Sequence, residues 1–192
     1  MTQPAKVLAP PDVRRLCARA GRGRFAVRNR LIILLSFKAG LRACEIAGLD
    51  WSMAITAKGR IAATLTISNT IAKNGRGRAL PNHPDLKRLL EQHHRASGRP
   101  LSGPVIRSLR GSHMTPRSIV NWFAAIYAEL GLHGCSSHSG RRTFITTAAR
   151  LVSKTGGSLR DVQELAGHSA LTTTERYIEG DRDAQRKLVR ML

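Results

Sequence analysis

The two tyrosines of this chain occur in very different surroundings. Tyr127 lies in an apolar stripe, as a core residue would, whereas Tyr177 follows three threonines, a glutamate and an arginine. A large, half-apolar ring in so polar a run is most often a plain surface residue. The alternative is that the hydroxyl of Tyr177 is a nucleophile. A phenol has a pKa of about 10, so it needs a proton acceptor or nearby cations to react at neutral pH.

Side chains that could serve such a nucleophile occur at the predicted ends of other elements. His138 and Arg141 are three residues apart, on one face of a helix start. Arg42 follows a glycine break, His168 lies in the turn after a glycine-terminated helix, and Lys73 is beside a hairpin tip. Functional residues concentrate at such element ends, so the five are candidates for one catalytic cluster.

Several of these residues also have an ordinary structural interpretation. Arg42 could simply form a helix-start ion pair with Glu45, or Glu45 could orient Arg42 for catalysis. Arg142 fits packing or a phosphate contact better than catalysis. Arg76 and Arg78 follow Lys73 closely. Because the net charge of +20 favours a polyanion such as DNA, both are predicted to bind DNA, as is Arg142.

The elements that must position these residues are mostly helical. Residues 61–67 alternate with period two and predict a strand. The segment NTIAKNGRGRALP then predicts a second strand, a turn at Asn74-Gly75 and a short returning strand. His93 and His94 are interpreted as surface residues of a helix. Periodicity and capping residues predict helices at about 8–20, 28–40, 41–51, 84–96, 115–131, 138–152, 158–167, 170–178 and 182–192.

Composition favours a polyanion as the partner. The chain has 192 residues and a net charge of +20, and arginine strongly outnumbers lysine. A coding bias towards arginine would explain the arginine-to-lysine ratio but not the excess of positive charge. Nucleic acid is therefore the leading partner, ahead of an anionic membrane. The sequence has no signal-peptide pattern and no membrane-length apolar run, which favours a cytoplasmic protein without membrane contact.

Three ordered motifs resemble the catalytic domain of the tyrosine recombinases, the phage-integrase family. They are GLRACEIAGLDW, SSHSGRRTFIT and VQELAGHSALTTTERYI, and the hairpin IAKNGRGRALP resembles the family's lysine-bearing β-hairpin. The resemblance covers about residues 8–178. It implies the DNA breaking-rejoining fold, which is mainly α with a small antiparallel β-sheet. We assign residues 1–180 to this domain and 181–192 to a C-terminal tail helix.

The resemblance implies that Tyr177 attacks a DNA phosphodiester and forms a 3′-phosphotyrosine. Arg42 and Arg141 would clamp the non-bridging oxygens, and His168 would donate a further hydrogen bond. His138 is the candidate proton acceptor, and Lys73 would protonate the leaving 5′-oxygen. The implied partner is double-stranded DNA, held by a homo-oligomer that is a tetramer on paired sites, with an accessory DNA-binding protein as a further partner.

This scheme needs no metal and no other cofactor. Two-metal phosphoryl transfer uses carboxylates to hold the cations, and the acidic residues beside these motifs are few and scattered. His133, Cys135 and His138 are spaced suggestively for zinc, but a fourth ligand is missing nearby. The three cysteines predict no disulfide framework.

Two other functions remain open at this point. One is a type IB-like topoisomerase, which breaks and reseals a single strand. The other is a DNA-binding regulator that keeps the fold without turnover. Met1 lies only a few residues before the first predicted helix, so we expect a short form without the N-terminal core-binding domain that most relatives carry.

Overall fold

The computed structural model describes residues 5–72, 75–177 and 189–190. The architecture is mainly α-helical with a two-stranded antiparallel sheet, which confirms the predicted fold class. The predicted tail helix lies largely outside the described residues. The elements are α1 (Pro10–Ala20), α2 (Ala26–Lys38), α3 (Ala43–Gly48), β1 (Thr64–Ile67), β2 (Arg78–Pro81), α4 (Pro84–Ala96), α5 (Pro116–Glu129), α6 (Ser139–Leu151), α7 (Leu159–Ala166) and α8 (Leu171–Glu175).

Helix α2 lies at the centre of the core. Its apolar run has no water-facing side, and Leu31, Ile32, Ile33 and Leu35 are all fully buried. Because a helix that is apolar all round must be covered by other elements, α2 packs against α1, α3, α4 and α6. The motif-bearing helices α3 and α6 are therefore both fixed to one rigid element.

The sheet is simpler than the sequence predicts. Strand β1 covers 64–67 only, and Ile61 makes an isolated bridge with Ile55. The predicted strand between β1 and Asn74 is wrong: β1 pairs directly with β2, Thr64 opposite Pro81 and Ile67 opposite Arg78. The described part of the connection forms turns because the Asn69 side chain accepts from Gly77 N at 2.7 Å and closes the loop. Asn74 itself lies outside the described residues.

The interpretation as a surface residue is wrong for His94, whereas His93 is half-buried. His94 is 4% exposed, its Nε2 lies 2.9 Å from the carbonyl oxygen of Pro100, and its ring packs on Trp51. His93 also contacts Trp51, and its Nε2 lies 2.8 Å from the Val105 carbonyl. The loop after α4 folds back over both rings and supplies the carbonyls of Pro100 and Val105, a contact that the helix pattern alone does not reveal.

Helix α6 approaches α2 so closely that only glycine fits at the contact. A Cβ on Gly140 would lie 2.2 Å from Ser36 Oγ and 2.8 Å from the ring of Phe37. This contact fixes the position of the first turn of α6. His138 occupies the N-cap position of that turn, without a capping hydrogen bond from its side chain, and Arg141 follows one turn later. Helix α7 then packs on α6 around a small separate core of Ile145, Val162 and Ala166.

Candidate active site

A buried carboxylate organises one half of the candidate site. Glu45, in the first turn of α3, is fully buried and accepts a bidentate pair of hydrogen bonds from Arg78, both at 2.9 Å. Arg42 donates to the same carboxylate through its backbone N–H (2.9 Å) and its guanidinium (3.0 Å). Both predicted roles of Glu45, as the ion-pair partner of Arg42 and as the group that orients it, are consistent with this geometry.

Arg141 organises the other half. It is 3% exposed, and its two terminal nitrogens donate to the carbonyl of Gly40 at 2.7 Å and to that of Ala166 at 2.6 Å. Gly40 has a φ of +63°, and a Cβ there would lie 2.4 Å from the ring of Phe144, so glycine is required for this carbonyl to reach Arg141. The two bonds use only some of the N–H donors of the guanidinium.

The two halves join into one cluster. Arg78 Nε donates to the Leu165 carbonyl at 3.1 Å, directly beside the Ala166 carbonyl that Arg141 holds. Gly40, the other acceptor for Arg141, lies two residues before Arg42. Arg42 and Arg141 are therefore on the same side of the molecule, and the hydrogen bonds connect the start of α3, strand β2, the start of α6 and the end of α7.

The electrostatics of this cluster favour an anion. Burial opposes ionisation of Glu45, but the hydrogen bonds and charge of Arg78, with those of Arg42, outweigh it and hold the pKa below its ordinary value. Burial, and then the charge of Arg42, lowers the pKa of Arg141 to about 10, which leaves it protonated at neutral pH. Three guanidiniums surround one carboxylate, so the positive charge is in excess and suits a phosphate.

His168 lies at the edge of the same cluster, in the turn after Gly167. Its Nδ1 is 2.9 Å from the hydroxyl of Thr174, and its carbonyl accepts from Gln163 Nε2 at 3.0 Å. Partial burial, followed by the charges of Arg141 and Arg42, lowers the pKa of His168 to about 4. The imidazole is therefore neutral near pH 7, so one ring nitrogen is a donor and the other an acceptor. In the tautomer whose Nδ1 accepts from the Thr174 hydroxyl, Nε2 is the donor.

This pKa predicts an acid-sensitive fold. Because the folded value of about 4 lies below the ordinary 6.5, the unfolded chain binds the proton more tightly. Stability should therefore fall as the pH drops from about 6.5 towards 4, by about 1–2 kcal/mol after discounting for partial exposure. Urea unfolding across this range should show a smaller acid loss for His168→Gln than for wild type. An acid loss in His168→Gln equal to that of wild type would contradict the assignment.

Tyr177 is half-buried beside His168. The two rings stack with centroids 5.5 Å apart, and the Arg142 guanidinium lies 5.7 Å from the centroid of the tyrosine ring. Thr146 donates to the Tyr177 carbonyl at 3.2 Å, which attaches this segment to α6. The ring also lines a recess of about 250 Å³ with Lys6 and Arg150. The tyrosine singled out by its polar surroundings thus lies among cations.

The terminal helix is shorter than its pattern predicts. Helix α8 covers five residues, its N-cap is Ala170, and Leu171 is 39% exposed. Thr174 is fully buried because its hydroxyl contacts His168. Ile178, the last residue of the predicted helix, lies outside the described residues.

Of the remaining predicted site residues, two are exposed, one has a buried side chain and one lies outside the described residues. His138 is exposed at the start of α6, one turn from Arg141, and its Nδ1 is 3.5 Å from Ser137 Oγ. Arg76 is exposed after the hairpin tip. Lys73 lies outside the described residues. Arg78, predicted to bind DNA, has a 6% exposed side chain, and protein acceptors engage all three of its guanidinium nitrogens.

The supporting roles of two residues escaped the sequence analysis. The bridging role of Arg78 was readable in principle, because Arg78 shares its strand face with Leu80, which is buried. No feature of the sequence indicates that Gln163 supports the site. Its role is evident only from the folded structure, where its buried side chain donates to the His168 carbonyl.

Residues 5–72, 75–177 and 189–190 contain no group of three or more His, Cys, Asp or Glu side chains arranged to hold a metal ion, and all three cysteines are free. Within the same described ranges, no helix is both long and apolar enough to cross a bilayer.

Comparison with known proteins agrees with this geometry. The model of the phage integrase family matches residues 6–183. Tyrosine recombinase XerC of Myxococcus xanthus is 30% identical over 182 residues, which cover 90% of this chain and 54% of that protein. XerC of Serratia marcescens is 31% identical over 161 residues, 81% of this chain and 49% of that protein. The chain therefore spans about half the length of the curated relatives it matches.

Solved structures show the same fold. The Tn1549 transposon integrase in complex with transposon right end DNA superposes with a TM-score of 0.75 at 17% identity, covering 100% of this chain and 67% of that one. XerA recombinase gives a TM-score of 0.75 at 18% identity, covering 98% and 65%. The chain belongs to the phage integrase family and has the fold of a tyrosine recombinase catalytic domain.

Proposed function

We propose that this chain is a site-specific DNA recombinase that cleaves and rejoins strands through a 3′-phosphotyrosine at Tyr177. The observation that carries the proposal is the hydrogen-bonded cluster that places Arg42 and Arg141 on one side of the molecule, with His168 and Tyr177 stacked beside them. The XerC relatives are named as tyrosine recombinases, and the Tn1549 integrase was solved with DNA.

The proposed cleavage is an in-line transesterification. The phenolic oxygen of Tyr177 forms a bond to phosphorus while the bond from phosphorus to the 5′-oxygen breaks. The phenolic proton passes to His138, and Lys73 gives a proton to the leaving 5′-oxygen. Arg42 and Arg141 neutralise the charge that gathers on the non-bridging oxygens, and the neutral His168 donates one hydrogen bond to them. Because the phosphotyrosine conserves the bond energy, a 5′-hydroxyl can reverse the step without ATP.

Preorganisation supports these roles. The Glu45 carboxylate and three backbone carbonyls hold the guanidiniums before any phosphate arrives, so little side-chain entropy is lost on binding. Arg78 acts here through Glu45 as a positioning residue. Arg76, which is exposed after the hairpin tip, and Arg142, whose guanidinium lies beside the Tyr177 ring, are proposed to contact the DNA backbone next to the site.

The proposed assembly is a homotetramer on two paired double-stranded sites, with an accessory DNA-binding protein as a further partner. Strand exchange requires a phosphotyrosine on one site to be attacked by a hydroxyl from another, so more than one active site must act together. The proposed reaction uses no metal and no cofactor, since arginine supplies the charge that cations supply in two-metal enzymes.

Trapping the intermediate tests the proposal. A pool of randomised duplexes with a nick beside the cleavable phosphate loses its short 5′-hydroxyl fragment after attack, so the adduct cannot religate. We expect a protein–DNA band that survives denaturation, with the DNA attached through its 3′-phosphate. DNA binding without an adduct would indicate the regulator. Relaxation of supercoiled plasmid without paired sites would indicate the topoisomerase.

A further inference from the structure

A second positively charged surface lies at the opposite end of the sheet from the candidate active site. It is a cleft of about 780 Å³ between the turn at 56–60, which precedes β1, and one face of α4 with the loop after that helix. Arg78, in the active-site cluster, pairs with Ile67 at the far end of β1. The length of β1 therefore separates the two regions by at least about 10 Å. None of the residues that line the cleft belongs to the active-site cluster.

The lining of this cleft is strongly basic and lacks charge compensation. Its only acidic residue is Glu91, and none of its cations forms an ion pair with an acidic side chain among the described residues. On the same helix the neighbouring Arg88 is instead paired with Asp85. The cleft cations are Lys58, Arg60, Lys87, Arg95 and Arg99.

The cleft has a rigid floor. His94 lies buried beneath it, packed on the fully buried Trp51 with ring centroids 4.8 Å apart. The turn that carries Lys58 is closed by a hydrogen bond from Gly59 N to the Thr56 carbonyl at 2.8 Å. Fixed walls lower the cost of ordering when a ligand binds.

Arg99 adopts a backbone conformation that its residue type disfavours. Its φ of +55° makes it the sole non-glycine residue in the left-handed region within the part of the chain that the structure describes. Arg99 N donates to the His94 carbonyl at 2.9 Å, which holds this turn in place. Glycine would adopt the conformation without penalty, so an arginine here is better explained by its side chain than by the turn.

We propose that this cleft is a second DNA-binding surface, which holds the phosphate backbone of a duplex other than the one in the active site. Uncompensated cations on two facing walls recognise a polyanion, and arginine suits phosphate oxygens. The choice of duplex DNA as the occupant rests on the proposed function: a protein already bound to one site has further DNA at high effective concentration. An acidic protein segment is the other polyanion that such a surface could accept.

Binding stoichiometry tests this surface. Tyr177→Phe chains, which cannot form the adduct, are titrated at low salt with a short duplex of arbitrary sequence, about 12 base pairs long. We expect two duplexes per chain. Adding Arg60→Ala and Arg95→Ala, one from each wall, should remove the second and leave the first. The same titration with Arg15→Ala and Arg88→Ala, two exposed arginines paired with aspartates, lowers the net charge equally and should keep both.

Arg99→Gly distinguishes a role of Arg99 in binding the second duplex from a role in stabilising the fold. It should weaken the second duplex by about tenfold, the expected scale for losing one or two phosphate contacts. The melting temperature should equal or exceed that of the parent because glycine tolerates the positive φ. A lower melting temperature together with unchanged binding would assign Arg99 a purely structural role and count against the proposal.

The other outcomes are equally decisive. One duplex per chain in every variant, or an equal loss in the cleft and control variants, would overturn the proposal. If the parent binds one duplex and the cleft variant binds none, the cleft binds DNA and the proposed catalytic surface does not. That result would contradict the proposed function and support the cleft, so the two proposals can be distinguished. Poly-L-glutamate and unlabelled duplex are then compared as competitors, each measured by its concentration of negative charge. If poly-L-glutamate displaces the second duplex at the lower concentration, the cleft is assigned to an acidic protein instead.

Discussion

Tyr177→Phe should reduce formation of the covalent adduct by at least about four orders of magnitude, because it removes the attacking oxygen and nothing else. The phenyl ring can still stack on His168 and lie beside Arg142, so DNA binding and the melting temperature should change little. The measurement is the denaturation-resistant band from a nicked duplex, with binding followed by fluorescence anisotropy on the same duplex.

The second tyrosine of the chain is the matched control. Tyr127 is 2% exposed, and its hydroxyl has no hydrogen-bond partner within the described structure. Tyr127→Phe therefore removes the same atom without removing a described interaction, and both adduct yield and stability should be preserved or slightly improved. Adduct formation by Tyr177→Phe at the wild-type rate would mean that another side chain is the nucleophile, and the mechanism proposed above would have to be abandoned.

Glu45→Gln should be the most destabilising single change in the candidate site. Glutamine keeps the shape of the side chain but leaves the guanidiniums of Arg42 and Arg78 without their counter-charge in a buried position. Breaking a buried ion pair from one side costs about 3–5 kcal/mol. Urea unfolding at pH 7 gives the loss. The exposed pair of Glu129 with Arg19 provides the comparison, and Glu129→Gln should cost at most about 1 kcal/mol.

Two further measurements separate the structural and catalytic roles of Glu45. The pKa of this carboxyl is held below its ordinary value, so its stabilisation is complete above that value and is lost as the pH falls through the lower folded pKa. The acid loss should therefore be smaller in Glu45→Gln. Adding Arg78→Met to Glu45→Gln removes one uncompensated charge and should recover part of the stability. Adduct formation should stay low, because Arg42 has lost the group that orients it; full recovery of the adduct would show that Glu45 serves stability alone.

Much of the fold was predictable because its signals are local. The stripe of α5 and the glycine and capping residues around α7 act within one or two helical turns, so α5 and α7 appear close to where periodicity placed them. The hairpin was predicted less well. Asn74-Gly75 is a strong turn signal, but the length of the loop depends on which strand β2 pairs with and on the Asn69 side chain. Strand pairing of that kind involves residues distant in sequence and carries no local signature.

The amino-acid sequence by itself predicted the candidate reacting groups of the site and identified the family to which the chain belongs. Residue type decides whether a side chain can attack phosphorus or hold a phosphate, and the ordered motifs carry that information without coordinates. Only the tertiary structure decided how those groups are charged and held. Glu45 and Arg78 are separated by 33 residues, and Arg141 and Gly40 by 101. The hydrogen bonds between them, and the low pKa of His168 that follows from shared burial and charge, exist only when distant segments pack together.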